Sequence, residues 1–253
     1  MKITTTIWNK VKQLLALLIV GGLVSFADTE QSQVICEKIS INIENGDEYK
    51  FVDQQHIKDL ITKRGRKSIK GNPVSSLDIK RMEKALKKDQ FIKTAQVFKM
   101  LDGTLNIQLT QRSPIARVMK NNKSFYLGEN QDIFHTTRRF TARVPIVSID
   151  GRSSILRNNS ITTEKDKEFY EFIQYVNNDP FFSKQFAYYD INRYDELTIY
   201  PQVTKQKIIF GNTDNYLTKL KKIKIFYSKV LLTKGWNTYS KVDVKYRDQI
   251  ICE

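Results

Sequence analysis

Apolar and polar positions alternate along this chain in short, clearly bounded runs. Cys36 to Ile43 reads CEKISINI, with Ile39, Ile41 and Ile43 on one face, which predicts a half-buried strand. Asn45-Gly46-Asp47 ends that run. Asp53 stands where a helix N-cap belongs, and Ile57, Leu60 and Ile61 follow at i, i+3, i+4 spacing. Gly65 is placed to cap the helix C-terminus. A second helix is expected from about Ser76 to Lys88, with Leu77, Met82, Ala85 and Leu86 as its apolar stripe. Two alternating runs then flank Asp102-Gly103, a dipeptide favoured in type I′ hairpin turns. Ala95 and Val97 precede the turn; Leu105, Ile107 and Leu109 follow it. The order is β-α-α-β-β, ending near Val118.

From residue 119 the pattern changes. Phe125 to Leu127 and Ile133-Phe134 flank a Gly128-to-Asp132 turn and predict another hairpin. Arg143 to Val147 starts a short strand that ends at Asp150-Gly151. Phe169, Phe172, Ile173 and Val176 mark a helix from Thr163 to Asn177. Strands are predicted around Ala187 to Asn192, Glu196 to Pro201 and Lys207 to Phe210. A basic amphipathic helix runs from about Tyr216 to Leu232. The last run, Lys241 to Cys252, alternates with Val242, Val244 and Tyr246 on one face and predicts a single terminal strand.

One segment lacks this texture. Leu14 to Ala27 carries no charge, and extending it back to Ile7 and Trp8 gives a helix long enough to span a bilayer at about 1.5 Å per residue. Lys2, Lys10 and Lys12 precede it, and Asp28, Glu30 and Glu37 follow, so the positive-inside rule puts the N-terminus in the cytoplasm. A cleaved signal peptide is the competing reading, because Ser25-Phe26-Ala27 has a small-x-small form. Both readings export everything after residue 28.

Composition narrows the function. With 253 residues and 40% hydrophobic content, the chain can bury two small cores. The net charge of +15 is spread along the sequence rather than massed in one tail, which fits ordinary surface chemistry better than nucleic-acid binding. The loop Lys63 to Lys70 is basic but lacks the spacing of a phosphate cradle and reads as a solvated connector. Cys36 and Cys252 have no zinc-type spacing and are expected to be free thiols. With only His56 and His135 as histidines, no catalytic set assembles, and no catalytic, cofactor or metal residue is assigned. Asp190, Asp195 and Glu196 are read as surface charge around a strand turn rather than as a glycosidase pair.

Several segments, in this order, resemble the FtsQ/DivIB family of bacterial division proteins. Met82 to Leu86 followed by Phe91 to Val97 is similar to that family's L-E-x-x-L…P-x-I-x-x-A-x-V pattern. Arg112-Ser113-Pro114-Ile115-Ala116-Arg117 resembles its E-R-x-P-I-A segment, and Phe125 to Phe134 its hairpin, with Gln131-Asp132 in place of the usual glycine. Val144-Pro145-Ile146 to Gly151, Ile209-Phe210-Gly211 with Lys219-Leu220, and Val242 to Tyr246 complete the series.

The resemblance implies an α+β protein with a single N-terminal transmembrane helix, a small β-α-α-β-β POTRA-like domain, and a mostly antiparallel β domain with flanking helices. The expected divisions are 1–12 (cytoplasmic tail), 13–28 (membrane helix), 29–36 (linker), 37–118 (POTRA-like) and 119–253 (β domain). It also implies a non-enzymatic divisome scaffold in the inner membrane, enriched at the septum, linking early and late division proteins. The implied partners are the extracytoplasmic segments of FtsB and FtsL, with no cofactor, nucleic acid or small-molecule substrate. Binding in the family is by strand addition to the last strand, here Val242 to Ile251. Lys241, Val242, Val244, Lys245, Tyr246, Arg247 and Ile250 are the implied contacts, with Trp236 and Tyr239 beside them. The alternative is an exported POTRA-type chaperone or outer-membrane transport component.

Overall fold

A computed structural model describes residues 34–253, together with Lys12, Leu18 and Ile19. The expected membrane helix and cytoplasmic tail therefore lie outside the described residues, apart from those three. Among the described residues, no helix is long and apolar enough to cross a membrane. The chain forms two compact units that divide between Gln111 and Arg112.

In the first unit, strand β1 (Lys38–Ile43) is followed by helices α1 (Gln54–Thr62) and α2 (Ile79–Lys87), then strands β2 (Ile92–Lys99) and β3 (Thr104–Gln111). The sheet order is β1-β3-β2, with β1 parallel and β2 antiparallel to β3. Ile57 and Ile61 of α1, Met82 and Leu86 of α2, and Ala95, Val97, Leu105, Ile107 and Leu109 of the sheet share one core. This is the β-α-α-β-β order that the alternation predicts.

Three local details differ from expectation. Helix α1 is capped by Asp53 as predicted, its carboxylate accepting from the His56 N–H at 2.7 Å. It ends earlier than Gly65, because Lys63 and Arg64 already adopt left-handed backbone. Helix α2 starts at Ile79, since Asp78 accepts from the Arg81 N–H and sets the N-terminus there. In the β2–β3 hairpin, Gly103 has positive φ and Asp102 does not. The connection is thus a three-residue loop, Leu101 to Gly103, closed by the Met100 N–H to Thr104 O bond, and not a type I′ turn.

The second unit contains β4 (Pro114–Lys120), β5 (Lys123–Gly128), β6 (Ile133–His135), β7 (Ile146–Ile149), α3 (Glu164–Asn178), β8 (Phe186–Ile191), β9 (Leu197–Pro201), β10 (Lys207–Gly211), α4 (Tyr216–Ile225), β11 (Lys241–Asp243) and β12 (Ile251–Cys252). The expected boundary at residue 118 falls inside β4, which pairs with β5 and β7 and so belongs wholly to this sheet. The strand order is β12-β11-β10-β9-β8-β7-β4-β5-β6. It is a mixed sheet: β4/β7, β7/β8 and β10/β11 are parallel, and the other pairs are antiparallel. Phe169, Phe172, Ile173 and Val176 of α3 and Leu220 and Ile223 of α4 cover one face, burying Val118, Val147, Tyr189, Ile199, Phe210 and Val242.

Thr163 caps α3 in a reciprocal capping box with Asp166. Helix α4 does not continue as one regular helix to Leu232; a π-type stretch, Phe226–Leu231, intervenes before a last turn, Leu232–Lys234. Cys36 and Cys252 are both free.

Candidate partner-binding edge

The end of the chain departs most from the sequence reading. Lys241 to Cys252 is not one strand. Residues Lys241–Asp243 form β11, the chain then leaves the sheet, and Ile251–Cys252 returns antiparallel to β11 as β12. Local chemistry explains the break. The Val244 N–H still reaches the Ile209 carbonyl at 3.0 Å. The next amide, of Lys245, turns onto its neighbour Asp243 Oδ1 at 2.9 Å, an Asx-type turn that competes with the ladder. Lys222 of α4 takes the carbonyls on either side of Lys245, donating from Nζ to Val244 O at 2.6 Å and to Tyr246 O. Burial and the neighbouring Lys219 push the Lys222 ammonium below the ordinary lysine value.

The outer strand is therefore β12, and β11 is covered opposite Val242 and Asp243. Lys241 and Glu253 exchange both backbone bonds, at 3.1 and 3.0 Å, and their side chains form an ion pair at 2.8 Å. Its hydrogen bond raises the Lys241 pKa. In an antiparallel ladder the bonding direction alternates, so the Cys252 N–H and C=O point away from β11, along the free side of the sheet.

The implied contact residues separate into groups. Val242 and Val244 are fully buried, and Ile250 packs against the same core. Tyr239 lies against Phe226 at 6.1 Å and Trp236 against Tyr227 at 5.9 Å, both among the helices that cover the sheet. Tyr246 remains 48% exposed, and Arg247 is exposed beside it. Lys245 sits between Glu196 and Asp243, at 3.8 and 3.9 Å. Lys222 carries no signal in the sequence that sets it apart from the other lysines of its helix; only the long-range fold brings it to residues 244–246.

Asp195, considered as one of a catalytic pair, is committed elsewhere. It accepts from Ser153 Oγ, Ser154 N, Ser154 Oγ and Lys165 Nζ at 2.6–2.8 Å. Burial opposes its charge, but the bonds from Lys165, Ser154 and Ser153 outweigh burial and hold the carboxyl well below the usual range. Glu196 pairs with Asn192 and Lys245. Among the described residues, no cluster of His, Cys, Asp and Glu has the form of a metal site.

Comparison with known proteins adds two matches. Residues 34–110 match a family described as POTRA-like domain. Residues 113–253 match a family described as FtsQ/DivIB, C-terminal related. A search of curated proteins finds no match. The second match covers more than half of the chain and coincides with the nine-stranded unit, so this chain belongs to the FtsQ/DivIB C-terminal-related family, with a POTRA-like domain ahead of that region.

Proposed function

We propose that this protein is a non-enzymatic cell-division scaffold whose second unit receives the extracytoplasmic segments of FtsB and FtsL at the β11–β12 end of its sheet. Residues 13–28 anchor it in the inner membrane with the N-terminus in the cytoplasm, and the two described units act outside, at the septum. The observation that carries the reading is the short, open edge at β12, next to an exposed Tyr246 and Arg247.

The edge is too short to bind by backbone bonds alone. Cys252 offers one outward N–H and C=O, and each hydrogen bond contributes roughly 0.5–1.5 kcal/mol net. A micromolar complex requires about 8 kcal/mol. Side chains must therefore supply most of the affinity, with Tyr246 as an aromatic anchor and Arg247 facing acidic partner residues; Lys241 and Lys245 join them by exchanging their own carboxylates, Glu253 and Glu196, for the partner's.

Titration of the full chain in detergent with FtsB and FtsL segments tests this. Saturable binding that weakens about tenfold or more in Tyr246→Ala and Arg247→Glu, and weakens with salt, is the expected result. Equal binding by both variants would move the site off this edge.

A further inference from the structure

We propose that the outward ridge of α4 and its continuation docks against an anionic lipid surface. From Tyr216 to Val242 the chain contains no carboxylate, and six lysines fall between Tyr216 and Trp236. Two of these point inward: Lys219 binds Asn212 and Asp214, and Lys222 binds the carbonyls of residues 244 and 246. Lys221, Ile225, Lys229, Leu232 and Trp236 are all exposed along this stretch: the first two lie on α4, Lys229 in the π-type stretch, Leu232 in the last turn and Trp236 just beyond it. Leu232 is 71% exposed, Trp236 44% and Ile225 40%, unusual exposure for three large apolar side chains within one basic stretch, and Leu232 and Trp236 lie side by side.

Nearby acids do not cancel this charge. Asp179 is neutralised by Lys224 at 2.7 Å, and Glu168 lies toward Leu217 at the other end of the helix. The charge and the apolar groups alternate rather than segregate. A partner helix needs a continuous apolar seam at i, i+3, i+4, i+7. A bilayer interface accepts apolar side chains and ammonium groups at the same depth, lysines reaching phosphates while Leu, Ile and Trp enter the acyl boundary. A largely apolar groove lined by Phe181, Lys224, Tyr227, Ser228, Leu232 and Trp236 opens on the same surface. The ridge is independent of the β12 edge but rests on the reading that the protein resides at a membrane.

Trp8 and Trp236 are the only tryptophans, so Trp8→Phe leaves a single reporter on the ridge. The full-length Trp8→Phe protein is reconstituted into phosphatidylglycerol-rich and phosphatidylcholine vesicles carrying a shallow spin-labelled quencher. Trp236 emission is expected to shift blue and be quenched in the anionic vesicles only, and to recover at high salt. Lys221→Gln and Lys229→Gln are each expected to lower the docked fraction, roughly fivefold per lysine in docking equilibrium. Vesicle association with an unquenched Trp236 in both lipids would overturn the ridge proposal and leave the anchor reading intact. Failure to associate with either vesicle would overturn both. A blue shift given by an acidic polypeptide but by neither vesicle would assign the ridge to a protein and overturn the lipid proposal.

Discussion

Gly103 holds a backbone position that no other residue fits without cost. Its φ is +80°, and a Cβ there would lie 2.5 Å from the Ile35 carbonyl oxygen. Gly103→Ala is expected to destabilise the POTRA-like unit by about 1–3 kcal/mol, read as a lower denaturation midpoint at unchanged slope. Asp195 gives a pH-dependent case. Its folded-state pKa is depressed, so its contribution is complete above the unfolded value of 3.8 and is lost as pH falls through the lower folded value. Acid unfolding curves should steepen below about pH 4 for the wild type, and Asp195→Asn should flatten that limb while lowering stability near neutrality. The sequence places Asp195 at a turn, but its bonds to Ser153, Ser154 and Lys165 span up to 42 positions and leave no periodic trace.

At the scale of elements, the legible parts are those decided locally. The stripe on α3 is visible because helix periodicity is written within a few residues; the sequence reading starts the helix at Thr163, which the structure makes its N-cap. Thr163→Ala should cost about 1 kcal/mol, and Phe172→Ala, fully buried against Tyr189 and Phe210, about 3–5 kcal/mol, both measurable by thermal unfolding. The terminal run was illegible for the opposite reason. Its alternation through Tyr246 is real, but Asp243 and Lys222 offer its backbone better partners than another strand would. Lys222→Met should release those carbonyls and raise amide hydrogen exchange across residues 244–250, with β10 unaffected. The π stretch after α4 places Phe226, Tyr227 and Leu231 in the core and has no signature in the spacing.

At the scale of the whole molecule, the two β patterns sort the chain into two cores with no shared member, and the alternation locates both. Which strands become neighbours is less accessible. Parallel pairing of β4 with β7 and of β7 with β8 joins residues about 30 to 40 apart through intervening loops and helices, and alternation alone is silent about such register. It also explains why the expected boundary fell late, since β4 reads equally well as the end of the first module. Each unit having its own core, residues 34–111 produced alone should fold, with circular dichroism matching a small α+β domain.

The central claim is that a partner strand adds along the free side of β12. Cys252→Pro tests it most directly, because proline at this outward position removes the N–H that faces the incoming strand, and Cys252→Ala, which keeps that N–H, controls for loss of the partly buried side chain. Glu253 keeps its bonds to Lys241, so the sheet end should persist. Calorimetric titration of the full chain with the FtsB and FtsL segments should give saturable binding for the wild type and roughly a two- to tenfold loss for Cys252→Pro, with circular dichroism showing the protein still folded. Undiminished binding by a folded Cys252→Pro protein would contradict strand addition at this edge.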